Sequence, residues 1–166
     1  VTKDTLFNTD PNSQILQQKF DQIFHDIYSN FARKENYILF DDVIPLLDEL
    51  KLKGYDLGII SNMDERARDI LKEFELTKYF KHILLSRECG VMKPNPQIFL
   101  KMNELSKIKP ADCYHIGDDF EKDFKTCEKA NWNGIWLNRE CNSNYNKYLD
   151  KVPASKLVDK LNKFKL

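Results

Sequence analysis

The chain has 166 residues, 42% hydrophobic and 31% charged, enough for one domain with a substantial core. Its 26 Lys and Arg balance its 26 Asp and Glu, so no net field holds a polyanion, and nucleic acid is excluded as an expected partner. No apolar run approaches the roughly 18 residues of a membrane span, and the opening VTKDTLFNTD lacks a signal-peptide core.

A cytoplasmic protein is therefore expected. Cys89, Cys113, Cys127 and Cys141 form no CxxC pair, so they read as free thiols rather than a zinc site or a disulfide framework.

Asn12 and Ser13 can cap a first helix from about Gln14 to Arg33, with Leu16, Phe20, Ile23, Phe24 and Ile27 at helical spacing. Asp41 or Asp42 can cap a second, carrying Val43, Leu46, Leu47 and Leu50 on one face. Pro45 lies in its first turn, where a missing N–H costs little, and Gly54 ends it. Tyr55 to Ile60 reads as a strand, and Asp64 opens a helix through about Phe74. Ile83 to Leu85 is a short apolar strand, and Pro96 starts a helix through Leu105. Cys113 to Ile116 is a strand, Glu121 to Ala130 a helix, and Gly134 to Leu137 a strand. The polar stretch Asn138 to Asp150 reads as loop, and Ser155 caps a final short helix with Leu157, Val158 and Leu161.

Short apolar strands alternating with longer helices predict a parallel sheet covered on both faces, its four strands side by side. Ligands of such sheets bind beyond the carboxyl ends of the strands. Ser61 and Asn62 follow the first strand and can donate hydrogen bonds to an oxyanion; equally, they can simply start the next helix. Lys93 stands in Gly90-Val-Met-Lys-Pro-Asn-Pro96, where two prolines stiffen the backbone. A lysine so held can neutralise a phosphoryl group, although loop lysines are commonly solvated surface. Asp118, Asp119 and Asp123 lie within six residues after a buried strand. Clustered carboxylates there suit a hard cation such as magnesium, or cap a helix. His115, in an apolar strand, reads as a buried, hydrogen-bonded histidine.

These motifs, in this order and spacing, resemble the haloacid dehalogenase superfamily from about Leu39 to Arg139. Gly58 to Asn62 resembles its second motif, Lys93-Pro94 its third and Gly117 to Asp123 its fourth; Ile60 to Asp64 and Lys93 to Phe99 are most similar to the rhythmically expressed gene 2 group. The resemblance implies a Rossmannoid three-layer α/β fold with a parallel sheet, in one domain over residues 1–166. It also implies hydrolysis of a small phosphorylated metabolite through an aspartyl phosphate, with Mg²⁺. Ser61, Asn62 and Lys93 would then bind the phosphoryl group, Ser61 and Lys93 serving catalysis; Asp118 would hold magnesium, with Asp123 supporting it.

Two features depart from that pattern. Lys3-Asp4-Thr5-Leu6 matches only the latter part of the first motif, which puts Val1 at the nucleophile and Lys3 at the second acidic position. The first strand is thus largely missing. Residues 8–38 leave room for only a shortened helical cap. The favoured expectation is an enzyme sequence beginning inside its first motif; the alternative is a non-catalytic phosphate-binding or interaction module. A Rossmann dinucleotide domain would need G-x-G-x-x-G, which is absent. A receiver-like domain would carry its acid pair near the first strand.

Overall fold

A computed structural model describes residues 14–139 and 143–164; Val1, Lys3, Asp4, Asn12 and Ser13 lie outside the described residues. Helix α1 spans Gln14–Asn30 and α2 spans Val43–Leu52, ended by Gly54 at φ 82°, a left-handed turn that favours glycine. Strand β1 is Gly58–Ser61, shorter than the pattern predicts, because Tyr55 N–H still closes the helix on Leu50 O and Asp56 pairs with Lys81. Helix α3 (Arg66–Glu73) begins where Asp64 accepts from Arg66 N–H. β2 (His82–Leu85) runs into a one-turn helix α4 (Ser86–Cys89), and α5 follows over Gln97–Ser106.

β3 (Tyr114–Gly117) leads into a π-helical turn, Phe120–Lys125, in which Asp119 O accepts from both Asp123 N–H and Phe124 N–H. Then come α6 (Thr126–Lys129) and β4 (Asn133–Leu137).

Two expectations at the carboxyl-terminal end give way. The stretch read as loop winds into 3₁₀ turns over Ser143–Lys151. In place of a final helix, Leu157–Val158 forms strand β5, pairing in parallel with Trp136 and Leu137 and burying Val158. A two-residue strand leaves no periodicity to read, and the edge it covers lies far away in sequence.

All described strand pairing is parallel, with helices on both faces. On one face Ile60 packs with Ile98, Phe99 and Met102 of α5 and with Cys127 and Ala130; on the other, Leu46 and Leu50 of α2 pack with Ile135, Val158 and Phe164. Phe99 and Trp136 are fully buried, and a large apolar side chain taken from water contributes about 1.5–3 kcal/mol. The strands do not form one continuous ladder, however. Among the described residues β1 pairs with β2, and β3–β4–β5 form a second group. The outer face of α1 is apolar: Ile23, Phe24 and Ile27 are more than half exposed, and the helix meets the body through Tyr28, which bonds Glu65 and lies under Arg66. Among the described residues no helix is long and apolar enough to cross a membrane.

Asp42 does not cap α2 through its side chain. Instead its carboxylate is buried and clamped by Arg139, Nη1 to Oδ2 and Nη2 to Oδ1, both 2.8 Å, and it accepts from Leu161 N–H at 2.8 Å. This bidentate pair ties the start of α2 to the end of the chain, and the Arg139 hydrogen bond holds the Asp42 carboxyl below the usual carboxylate range. Asp42→Ala should cost about 1.5–3 kcal/mol in urea unfolding, the range for hydrogen bonds to charged groups. Because the folded pKa is depressed, the contribution is present above the unfolded carboxylate value near 3.9 and is lost as pH falls towards the folded one; the stability gap between wild type and variant should close on acidification.

Candidate active site

The carboxyl ends of β1 and β3 meet at one ion pair. Lys93, 9% exposed, places Nζ 2.5 Å from Asp123 Oδ1 and donates to Ile60 O at 3.0 Å. Asp123, 4% exposed, also faces His115 Nε2 at 3.1 Å through Oδ1 and accepts Asp119 N–H at 3.0 Å through Oδ2. Burial alone would raise the Asp123 pKa, but the His115 hydrogen bond and the Lys93 charge outweigh it, holding the carboxyl well below its ordinary range. Burial lowers the His115 pKa below its ordinary value against the pull of Asp123. The imidazole is therefore neutral near pH 7, a packing and hydrogen-bonding group edge-on to Phe99.

The lysine is also held from behind. Asn62 Oδ1 accepts Lys93 N–H and Asn62 Nδ2 donates to Lys93 O, each at 2.8 Å, and the Lys93–Pro94 peptide is cis. The Asn62 amide, which the sequence suggests for the phosphoryl group, is thus committed to the Lys93 backbone. Its 31-residue separation from Lys93 leaves no local signal that could reveal this clamp. Ser61 sits half-buried at the end of β1, next to the carbonyl that Lys93 engages.

The acid run resolves into three different roles. Asp119 caps the π-helical turn, accepting from Glu121 N–H at 3.0 Å and Lys122 N–H at 2.8 Å. Asp123 is the lysine's partner. Asp118 is exposed at the carboxyl edge, its carbonyl taking Trp136 Nε1–H at 2.9 Å. Among the described residues no three His, Cys, Asp or Glu side chains cluster to hold a metal ion. Beside the site, Asn62, Asp64, Arg66, Ser86 and Arg87 line a cavity of about 510 Å³.

In open parallel α/β sheets ligands bind beyond the carboxyl ends of the strands, and the Lys93 ammonium, Ser61 and Asp118 lie at those ends. The chain belongs to the haloacid dehalogenase-like hydrolase family, whose model matches residues 5–131. It is 32% identical over 120 residues to haloacid dehalogenase-like hydrolase domain-containing protein 3 of Danio rerio, covering 72% of this chain and 50% of that protein. It is 30% identical to a glyceraldehyde 3-phosphate phosphatase of Methanopyrus kandleri, covering 80% of this chain and 52% of that one. A phosphatase structure of the same superfamily from Thermococcus onnurineus superposes with TM-score 0.67 at 27% identity, over 75% of this chain and 55% of that one. The chain spans about half the length of the curated relatives it matches.

Gly117 tests the site's packing. A Cβ there would run into the carboxylate of Asp123, so only glycine lets the turn close over β3. Gly117→Ala should lower stability by about 1–3 kcal/mol, the range for overpacking. The His115 ring signals in NMR should shift with it as Asp123 is displaced.

Proposed function

We propose that this chain is the phosphate-binding portion of a magnesium-dependent phosphohydrolase for small phosphorylated metabolites, and that in the present form it binds but does not turn over. The carrying observation is the buried Lys93 ammonium, fixed between Ile60 O and Asp123 beside Ser61. A cation withdrawn from water and fixed at the strand ends neutralises a phosphoryl dianion without reorganising. The Ser61 hydroxyl donates to a phosphoryl oxygen, and Asn62 acts by keeping Lys93 in place.

Magnesium takes one or two carboxylates, with waters and phosphate oxygens completing its shell. Asp118 fits one such ligand. Asp123, engaged by Lys93 and His115, supports the site from behind. When bound, the metal neutralises charge on the phosphoryl group. Residues 8–38, including α1, serve as a reduced cap, and the cavity beside Asn62 and Arg66 takes the rest of the substrate.

What this set lacks is a nucleophile. In the first-motif register Val1 occupies that place, and removing a nucleophile commonly costs several powers of ten in rate. The same valine supports a second reading, a non-catalytic phosphate-binding module.

The chain, purified free of host phosphatases, should show no significant magnesium-dependent hydrolysis of an aryl phosphate. A version carrying an apolar strand that ends in Asp at position 1 should gain turnover that Lys93→Ala reduces; continued inactivity would favour the binding module. Turnover by the unmodified chain that Asp118→Asn removes would overturn the register and make Asp4 the nucleophile to test. In titration, Asp118→Asn should abolish magnesium binding; unchanged affinity would remove Asp118 from the ligand set.

A further inference from the structure

The cavity of about 510 Å³ adjoins both groups assigned to the phosphoryl moiety. Its lining begins at Asn62, next to Ser61, and at Met92, next to Lys93. It lies at the carboxyl ends of β1 and β2, where Ser61 is the register partner of Leu85. Neighbouring strands are about 4.8 Å apart, so groups rooted just beyond these two residues come within reach of one small molecule.

The charged side chains of this lining are Asp64, Arg66 and Arg87. Asp64 and Arg66 neutralise each other, with Nε 2.8 Å from Oδ1 and Nη2 2.6 Å from Oδ2. Arg66 is further fixed over the Tyr28 ring, 4.3 Å from its centroid. Arg87 is left over. The acid beside it in sequence, Glu88, is taken by Arg68 at 2.9 and 2.7 Å. Among the described residues the Arg87 guanidinium has no hydrogen-bond or ion-pair partner. Its backbone, by contrast, is tied down. Arg87 N–H donates to Met63 O at 3.2 Å, and Ser86 Oγ donates to the same carbonyl at 3.3 Å. A solvated surface arginine has no such setting: this one is rooted against the loop after β1, in a cavity whose other charges cancel. Met63, Val91 and Met92 supply apolar surface, Met92 being 60% exposed.

We propose that the site takes a phosphate monoester whose short carbon skeleton carries a carboxylate, and that Arg87 selects it. The inference rests on the phosphohydrolase reading and narrows its substrate class. The phosphoryl group sits by Lys93 and Ser61, the carbons lie along Met63 and Val91, and the carboxylate meets Arg87. The planar guanidinium fork matches two carboxylate oxygens. One uncompensated guanidinium balances a monoanionic carboxylate and only part of a second phosphoryl dianion. An uncharged group in the same place leaves Arg87 unpaired.

The test is calorimetric titration of the full chain, with magnesium present, using inorganic phosphate, glycerol 3-phosphate and 3-phosphoglycerate. The two esters share a carbon skeleton and differ at one end, hydroxymethyl in the first and carboxylate in the second. 3-Phosphoglycerate should bind roughly fivefold to tenfold more tightly than glycerol 3-phosphate. Arg87→Gln should bring that ratio to about one, and Arg87→Lys, which keeps the charge without the fork, should leave it in between. In NMR the Arg87 Nε–H signal should move with 3-phosphoglycerate and stay in place with glycerol 3-phosphate. Binding of phosphate and both esters with a ratio near one would overturn the inference and leave the phosphohydrolase reading standing. A ratio that survives Arg87→Gln would do the same. Failure of inorganic phosphate and both esters to bind would overturn the two together.

Discussion

Lys93 and Asp123 leave water together, and the arrangement of the site follows from that constraint. An ammonium and a carboxylate pay several kcal/mol each in desolvation, and only close contact with further hydrogen bonds compensates. Here Ile60 O takes part of the lysine's donor capacity, and His115 and Asp119 N–H engage the rest of the aspartate. Ile60 belongs to β1, His115 to β3 and Asp123 to the turn after β3, so satisfying one ion pair brings the ends of two strands together. Removing either partner strands the other charge; such losses run to about 3–5 kcal/mol.

Rigidity is the functional return on that arrangement. A solvated lysine samples many rotamers, whereas Lys93 has its backbone gripped at both ends by Asn62 and its ammonium anchored at two points. Neutral His115 adds a hydrogen bond without adding a positive charge that would compete with the lysine for Asp123. Asp118, next to this network yet outside it, is exposed. Membership of the haloacid dehalogenase-like hydrolases thus comes with a chemical division of labour within a single acid run.

Much of this is legible in the residues and some is not. The placement of Ser61 and Asp118 at the sheet's carboxyl edge is readable because each stands at or just past the end of an apolar strand, whereas Lys93 is marked by the prolines that stiffen its loop. Helix ends at Gly54, Asp64 and Pro96 follow from local backbone chemistry, and the structure places them there. Asp42 is different: a cap by position, it is drawn to Arg139, 97 residues away, because a bidentate guanidinium outweighs a single backbone N–H. β5 escapes notice because two residues carry no period. The division of the strands into two groups is invisible for a related reason. Apolar runs announce strands, but which strands touch depends on contacts distant in sequence.

The π-helical turn at Phe120–Lys125 carries a consequence for how this sequence can change over time. Such a turn holds one residue more than an α-helical turn of the same span, with Asp119 O shared between two donors. Deleting one residue there would let the segment close as an ordinary α-helical turn over the same span, so the parts on either side would keep their register. Inside the turn the outcome depends on which residue goes. Loss of Glu121 or Lys122 would leave Phe120 and Asp123 two residues apart, about 200° around an α-helix, and one of these two buried side chains would lose its inward place. The segment thus sets the number of residues between a core phenylalanine and the carboxylate that holds Lys93.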